Sequence, residues 1–462
     1  MTDLDAPATV RALRATFDSR RTRPIAWREQ QLVAMRRMLV DNERAIAAAL
    51  AEDLGKPRFE TWAAEIQVTV REIDELRRNL RRWTDEERVR IPWVLRPGRA
   101  EIHREPLGVV LVIAPWNYPV HLLLTPMAAG IAAGNAVLGK PSELAPATSA
   151  LMSRLAAAYL DTEAIGLVEG GVPETTALLR ERFDHILYTG NGAVGRIVLE
   201  AAARHLTPTT LELGGKTPVI VDRDADLKLA AGRVAFAKWT NAGQTCIAAD
   251  HVWVHEDVED EFLGLLRREV KRRYGDDPRT SPDFGRIVNV RHARRLAGLL
   301  EAGGYDEVVI GGSVDPDDRY VAPTVVRGVK PEAGLMAEEI FGPILPVLTF
   351  VDLDEPIDAI HAGSKPLALY VFTGDSGTAD RLLAETSSGG ACVNDVMTQI
   401  LVPGLPFGGV GNSGNGCYHG RWGMETFSHR KAVYRRPGWF IDPPVLRPPY
   451  RPWKQALFKR VF

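Results

Sequence analysis

Cys246 closes the stretch Asn241-Ala242-Gly243-Gln244-Thr245-Cys246, between a helical run from Ala225 to Lys238 and a strand-like one from His251 to His255. Chemistry at a carbonyl needs such a place. A soft nucleophile stands on a rigid junction, Gly243 and Gln244 allow a tight turn beside it, and backbone N–H groups are free to face what it attacks. A free cysteine also serves as a small apolar core residue, so Cys246 alone leaves both readings open. A second stretch, Gly190-Asn191-Gly192-Ala193-Val194-Gly195, matches G-x-G-x-x-G after a strand-like run and at the start of a helical one. Such a turn brings bare backbone and a helix N-terminus up to a pyrophosphate. Glu212 follows at about the 20-residue spacing that this fingerprint gives its ribose-binding acid. The same glycines also suit a plain turn that only ends a strand.

These residues need elements to hold them. From Gly108 to Gly214, strand-like runs (Gly108–Ile113, Ala136–Lys140, Ile165–Glu169, His185–Thr189, Thr209–Leu213) alternate with helical ones (Ala147–Tyr159, Glu174–Arg182, Ala193–His205). That alternation predicts a doubly wound parallel sheet, with ligands beyond the carboxyl ends of its strands. A second alternating lobe starts at Thr217, with strands at Val219–Val221, Val252–His255, Val308–Ile310, Val321–Val325, Pro346–Phe350, Ala368–Thr373 and Ala391–Asn394. Residues 8–83 carry apolar positions at helical spacing and read as three helices, with Gly55-Lys56-Pro57 between the second and third. Prolines keep most of the tail from Arg436 to Phe462 out of regular helix.

The 462 residues call for more than one core. A formal net charge of −2 gives no general attraction to nucleic acid or anionic membrane. The three cysteines, Cys246, Cys392 and Cys417, are too few and too separated for a disulfide framework or a zinc site, so no metal is expected and a reducing compartment fits. The first residues lack the basic-then-apolar pattern of a signal peptide. Pro106 to Gly139 carries no charge and is long enough to cross a bilayer, but its prolines, glycines and asparagines break it into strand, loop, helix and strand.

Six blocks in order resemble the NAD(P)-dependent aldehyde dehydrogenases: Pro115-Trp116-Asn117-Tyr118-Pro119, Lys140-Pro141-Ser142-Glu143, Leu211-Glu212-Leu213-Gly214-Gly215-Lys216, Gly243-Gln244-Thr245-Cys246, Glu338-Glu339-Ile340-Phe341-Gly342-Pro343 and Pro406-Phe407-Gly408-Gly409. The resemblance runs from about residue 20 to residue 435. Arg23 to Arg28, Gly170 to Thr176, Tyr418-His419-Gly420 and Thr426 to His429 are similar to the class 3 type. It implies an α/β fold of two Rossmann-type doubly wound lobes plus a small bridging and oligomerisation element. The dinucleotide lobe would take residues 1–83 and 105–212, the catalytic lobe 213–393, and the bridging element 84–104 with 394–462. It also implies roles. Cys246 would attack the aldehyde, Asn117 and the cysteine N–H would hold the oxyanion, and Glu212 would be the general base rather than the ribose acid. Gly190, Asn191, Gly192, Val194 and Gly195 would face the pyrophosphate. Lys140 and Glu143 would hold the adenosine ribose, Glu339 the nicotinamide ribose, and Trp116 and Phe341 would lie beside the ring. Glu143 would repel a 2′-phosphate that Lys140 would attract, so the pair leans to NAD with NADP possible. Where the family commonly has Thr or Ser in its glycine motif, this chain has Gly192. The expected activity is oxidation of a medium or long aliphatic or aromatic aldehyde to the acid, with Tyr118 and Trp239 suggesting an apolar tunnel. The alternative is ester hydrolysis by the same thiol. A cytoplasmic homodimer is expected.

Overall fold

The computed structural model describes residues 4–440 and 447–461. Its strands run in chain order as β1 (Glu87–Val89), β2 (Arg99–Pro106), β3 (Val109–Ile113), β4 (Ala136–Lys140), β5 (Ile165–Leu167), β6 (His185–Gly190), β7 (Thr209–Leu213), β8 (Pro218–Val221), β9 (His251–His255) and β10 (Glu307–Ile310). A small hairpin, β11 (Val314–Asp315) and β12 (Tyr320–Val321), leads to β13 (Thr324–Arg327), β14 (Ile344–Phe350), β15 (Ala368–Phe372), β16 (Gly390–Val393), β17 (Gly414–Asn415) and β18 (Ser428–Arg435).

Continuous apolar runs such as Val109-Val110-Leu111-Val112-Ile113 are buried at every position, as strands covered on both faces must be. The first sheet has the order β17-β7-β6-β3-β4-β5. Its pairs are parallel except for β17 against β7. The chain lays β4 and β5 on one side of β3, then returns to lay β6 and β7 on the other. The carboxyl ends of β3 and β6 therefore form a switch point, where such sheets open a crevice. The loop after β3 carries Trp116 and Asn117, and the turn after β6 carries Gly190 to Gly195. The second sheet has the order β10-β13-β14-β9-β8-β15-β16, parallel apart from β10. Cys246 lies between its helix Leu227–Trp239 and β9. A third, antiparallel sheet joins β1, β2 and β18.

The charge-free stretch forms β3, a loop, the fully buried helix His121–Ala133 and β4. No described helix is long and apolar enough to cross a membrane. Two local expectations are corrected. The N-terminal segment divides once more, into helices Ala6–Asp18, Ile25–Asp41, Glu43–Leu54 and a continuous rod from Arg58 to Thr84. Its extra break falls at Asn42, whose φ of −113° and ψ of 18° leave the helical range with neither Gly nor Pro to announce it. The run Val321–Val325 splits because Pro323 has no N–H for a ladder, so β12 ends before it and β13 begins after it. The expectation for the tail left room for a helix over part of it, and one is found at Pro452–Val461. Its proline stands at the first helical position, where a missing N–H costs nothing. Residues 441–446 and Phe462 of the expected proline-rich tail lie outside the described residues.

Candidate active site

The helix that leads to Cys246 stops at Trp239, and three left-handed residues follow: Asn241 at φ 53°, Ala242 at 51° and Gly243 at 74°. For Asn and Ala such φ values cost of order 1–3 kcal/mol each, so the surroundings must fix them. Glycine is required at 243, where a Cβ would run into the Gly342 carbonyl. The Asn241 N–H donates to Glu60 Oε2 at 2.9 Å, and its Nδ2 donates to the Asn117 carbonyl at 2.9 Å and the Gln244 carbonyl at 3.1 Å. Gln244 is buried and uses its whole amide. Its Nε2 donates to the Asn241 and Arg286 carbonyls, both at 3.0 Å, and its Oε1 accepts from the Val288 N–H at 2.9 Å. Asn117, 3% exposed, donates from Nδ2 to the Gln244 carbonyl at 3.0 Å. Tyr118 and Thr245 hydroxyls meet at 2.8 Å. Cys246 and Asn117, remote in the chain, are thus tied together two residues from the sulfur.

Glu212 on β7 is 2% exposed, and neither carboxyl oxygen has a partner among the described residues. Burial alone pushes its pKa well above the usual carboxylate range. Its charge is felt at Cys246, Cys417 and Tyr418. The thiol of Cys246 is itself pushed up to about 12, by burial first and then by Glu339 and Glu212, while the N–H groups of Cys246 and Ile247 act the other way. Glu339 is pushed up to about 8 by burial and Asp250, with the Gly215 N–H, Lys216 and Lys238 opposing. A buried acid, Glu212, and a partly buried one, Glu339, therefore lie within electrostatic reach of one protonated thiol. A ribose-binding acid needs an open carboxylate at the groove, and Glu212 is enclosed instead.

A cavity of about 390 Å³ separates Asn191 and Gly192 from Gly214, Gly215, Lys216 and Glu339. Asn191 caps the helix Gly192–Ala203 by accepting the Val194 N–H at 3.0 Å, and Gly195 is buried in the same first turn. Gly214 has to be bare, because a Cβ there would strike the Glu339 carboxylate. Trp116 packs edge-on to Phe341 at 5.3 Å between ring centres and against His292 at 5.6 Å. Lys140 and Glu143 stand at the end of β4, away from this cavity lining. Lys140 is buried, its Nζ donating to the Pro141 carbonyl at 2.8 Å and to Glu143 Oε2 at 3.1 Å, while the Glu143 side chain is 45% exposed.

The sequence reading missed what lies behind Asn117. Lys56 and Glu65 form a fully buried pair at 2.5 Å. Lys56 Nζ also donates to the Asn117 carbonyl at 2.8 Å and sits 4.2 Å from the Tyr118 ring centre. Glu65 Oε2 accepts the N–H groups of Val120 and His121 at 3.1 and 2.9 Å. Glu65 occupies a widened π-helical turn, Thr61–Gln67, a local irregularity that often marks a working site. The only signal was the break at Gly55-Lys56-Pro57, which reads as punctuation. Trp239, expected beside the tunnel, is instead a core residue, 1% exposed, with its indole N–H on the Pro343 carbonyl at 3.1 Å.

The sequence pattern described as the aldehyde dehydrogenase family matches residues 1–433. The chain belongs to the aldehyde dehydrogenase family. It is 46% identical over 424 residues to a rat protein named "aldehyde dehydrogenase, dimeric NADP-preferring", covering 92% of this chain and 93% of that one. It is 46% identical over 419 residues to mouse aldehyde dehydrogenase family 3 member A2, covering 91% and 86%. Among solved structures, AldH of Staphylococcus aureus in a substrate-bound state superposes with a TM-score of 0.95 at 41% identity, over 98% of each chain. Glyceraldehyde-3-phosphate dehydrogenase GapN of Methanocaldococcus jannaschii, complexed with NADP, gives 0.82 at 25% identity over 93% and 94%. The aldehyde dehydrogenase fold and the resemblance to class 3 are therefore confirmed. As a member of the family, the enzyme oxidises aldehydes to carboxylic acids with NAD or NADP.

Proposed function

We propose that this aldehyde dehydrogenase oxidises medium or long aliphatic or aromatic aldehydes through a thioester on Cys246. The observation that carries the reading is the convergence of the Asn117 amide and the unpartnered Glu212 carboxyl on the Cys246 loop. Cys246 Sγ bonds to the aldehyde carbon, and its proton leaves to ionised Glu212. The oxyanion so formed accepts hydrogen bonds from Asn117 Nδ2 and the Cys246 N–H. Bound nicotinamide supplies the acceptor for the hydride that leaves this carbon. Glu212 yields that proton to solvent and, ionised again, takes one from water as the water oxygen bonds to the thioester carbon. The C–S bond then breaks, Sγ regaining a proton from Glu212, to release acid and thiol.

The residues present fit the cofactor. The cavity, the bare backbone at Gly214 and the capped helix at Asn191 suit a ribose and a pyrophosphate. We assign the pyrophosphate to Gly190, Asn191, Gly192, Val194 and Gly195, the nicotinamide ribose to Glu339, and the ring side to Trp116 and Phe341. Lys140 and Glu143 take the adenosine ribose. Because Glu143 is half exposed, it can turn away and leave Lys140 to a 2′-phosphate, so NADP is accepted beside NAD. The name of the rat relative, NADP-preferring, supports this. Tyr118 and Tyr418, both near the thiol, support an apolar substrate.

We propose the partition into 1–83 with 105–212, 213–393, and 84–104 with 394–462. It is supported by the separate sheets of β3 to β7, of β8 to β10 with β13 to β16, and of β1, β2 and β18, with β17 of the last segment reaching across to pair with β7. A homodimer is proposed from the exposed Trp93 and Tyr434 beside and on the antiparallel sheet and from the word "dimeric" in the name of the rat relative. Three free cysteines support a reducing, cytoplasmic setting. An aldehyde panel assayed with NAD and NADP separately tests the proposal. Reduced cofactor and acid should appear together, most rapidly for apolar aldehydes. Preference for small polar aldehydes would refute the substrate class. Hydrolysis of esters at comparable rates with no cofactor would favour the hydrolase reading.

A further inference from the structure

The proposed reaction makes no use of Glu60, a partly buried acid just before the π-helical turn. Burial lifts its pKa to about 7, against the pull of the Asn241 N–H and Lys56. Among the described residues its carboxylate accepts one hydrogen bond, from the Asn241 N–H at 2.9 Å. That donor opens the left-handed run Asn241-Ala242-Gly243. The peptide it fixes also aims the Asn241 side chain, whose Nδ2 bridges the Asn117 and Gln244 carbonyls. The Gln244 carbonyl is in turn the acceptor for Asn117 Nδ2. One carboxylate oxygen from an N-terminal helix is thus the outer end of a chain of bonds that reaches both the oxyanion donor and the nucleophile loop.

We propose that Glu60 is a positioning residue for this aldehyde dehydrogenase, holding the left-handed Asn241–Gly243 turn so that Cys246 and Asn117 keep their mutual placement. The inference rests on the assignment of Cys246 as nucleophile. Without Glu60 the Asn241 N–H loses its acceptor in a closed site, and Asn241 and Ala242 lose what opposes their return to ordinary backbone angles. The substrate and cofactor contacts stay in place, so the loss falls on the chemical step.

The test uses the full-length enzyme with Glu60→Ala, Glu60→Gln and Cys246→Ala. Turnover, KM for cofactor and aldehyde, cofactor affinity, melting temperature and the iodoacetamide alkylation rate of the Cys246 peptide are measured for each. Glu60→Ala should lower kcat and the alkylation rate by about tenfold or more, the scale of a small misplacement in a catalytic site. Cofactor affinity should stay within about twofold, and Glu60→Gln, which keeps an acceptor oxygen, should stay within about threefold of the parent. If Glu60→Ala does not fold, Glu60→Asp replaces it, with its acceptor drawn back by one methylene and the same direction expected. Unchanged kcat and alkylation in the Ala or Asp variant would overturn the proposal. So would a Gln variant as slow as the Ala one, or a fall in cofactor affinity and melting temperature that parallels the fall in rate. An active Cys246→Ala enzyme would instead overturn the underlying assignment of the nucleophile.

Discussion

The loop at Cys246 and the turn at Gly190 to Gly195 are both short, glycine-bearing and set against a helix, yet they are built in opposite ways. The first is buried and cross-tied: Asn241, Gln244 and Asn117 exchange bonds with one another and with Glu60 and Arg286. Behind it stands a fully buried Lys56–Glu65 pair. The second is open to solvent at Asn191 and Ala193, buried or partly buried elsewhere, and carries one cap, in which Asn191 accepts the Val194 N–H. A nucleophile and its oxyanion donor must keep their geometry through every turnover, so the chain invests buried polar bonds there. A turn that receives a dinucleotide and lets it go has to leave its backbone uncommitted. Substitutions in the first region should therefore strike rate or stability, and those around the second should change affinity or cofactor choice.

The largest effect is expected at Cys246. Cys246→Ala should lower aldehyde oxidation by at least about 10³-fold, while calorimetry finds cofactor binding almost intact. Lost binding would erase the contrast between the two regions. Glu212→Gln comes next, with steady-state turnover down by about 10²-fold or more. Its pH behaviour has a definite sign. The base works as a carboxylate, and burial raises its pKa, so activity should fall as pH is lowered through that raised value. The thiol, pushed up to about 12, acts in the same direction. A pH–rate profile that is flat or falls toward alkaline pH would contradict both.

Lys56→Met sharpens the stability side of the comparison. It strands Glu65 without its cation, and breaking such a pair costs about 3–5 kcal/mol, which a denaturant titration would read. No change would mean that the Asn117 loop does not lean on the pair. The smallest effect belongs to the cofactor side. Glu143→Gln removes a half-exposed charge and should improve KM for NADP relative to NAD by only a few-fold, about 1 kcal/mol or less. A large drop in kcat from that change would break the division between the regions.

Much of this was legible in the residues. Strands such as β3 and β4 are uninterrupted apolar runs, and the alternation with helices gave the doubly wound sheet. Cys246 stood out by its place at a helix–strand junction, whereas Asn117 and the base role of Glu212 became legible only through the blocks that resemble the family. The supports did not stand out. Glu60, Glu65 and Lys56 look like ordinary helix-surface charges until a π-helical turn and a bend at Gly55 direct them inward. Their value depends on partners more than fifty residues away. Trp239 misled for the converse reason: position beside the Cys246 loop says nothing about which way a ring faces, and this one faces the core. Asn42 ends a helix through backbone angles alone, with no breaker residue to signal it.

The central claim, that oxidation passes through an acyl group on Cys246, is tested most directly by rapid-quench mass spectrometry of Glu212→Gln enzyme mixed with aldehyde and NAD(P). The account predicts an adduct of the acyl mass on the Cys246 peptide, formed with about one equivalent of reduced cofactor per active site and slow to disappear. Reduced cofactor released with no adduct, or with the adduct on another residue, would contradict it.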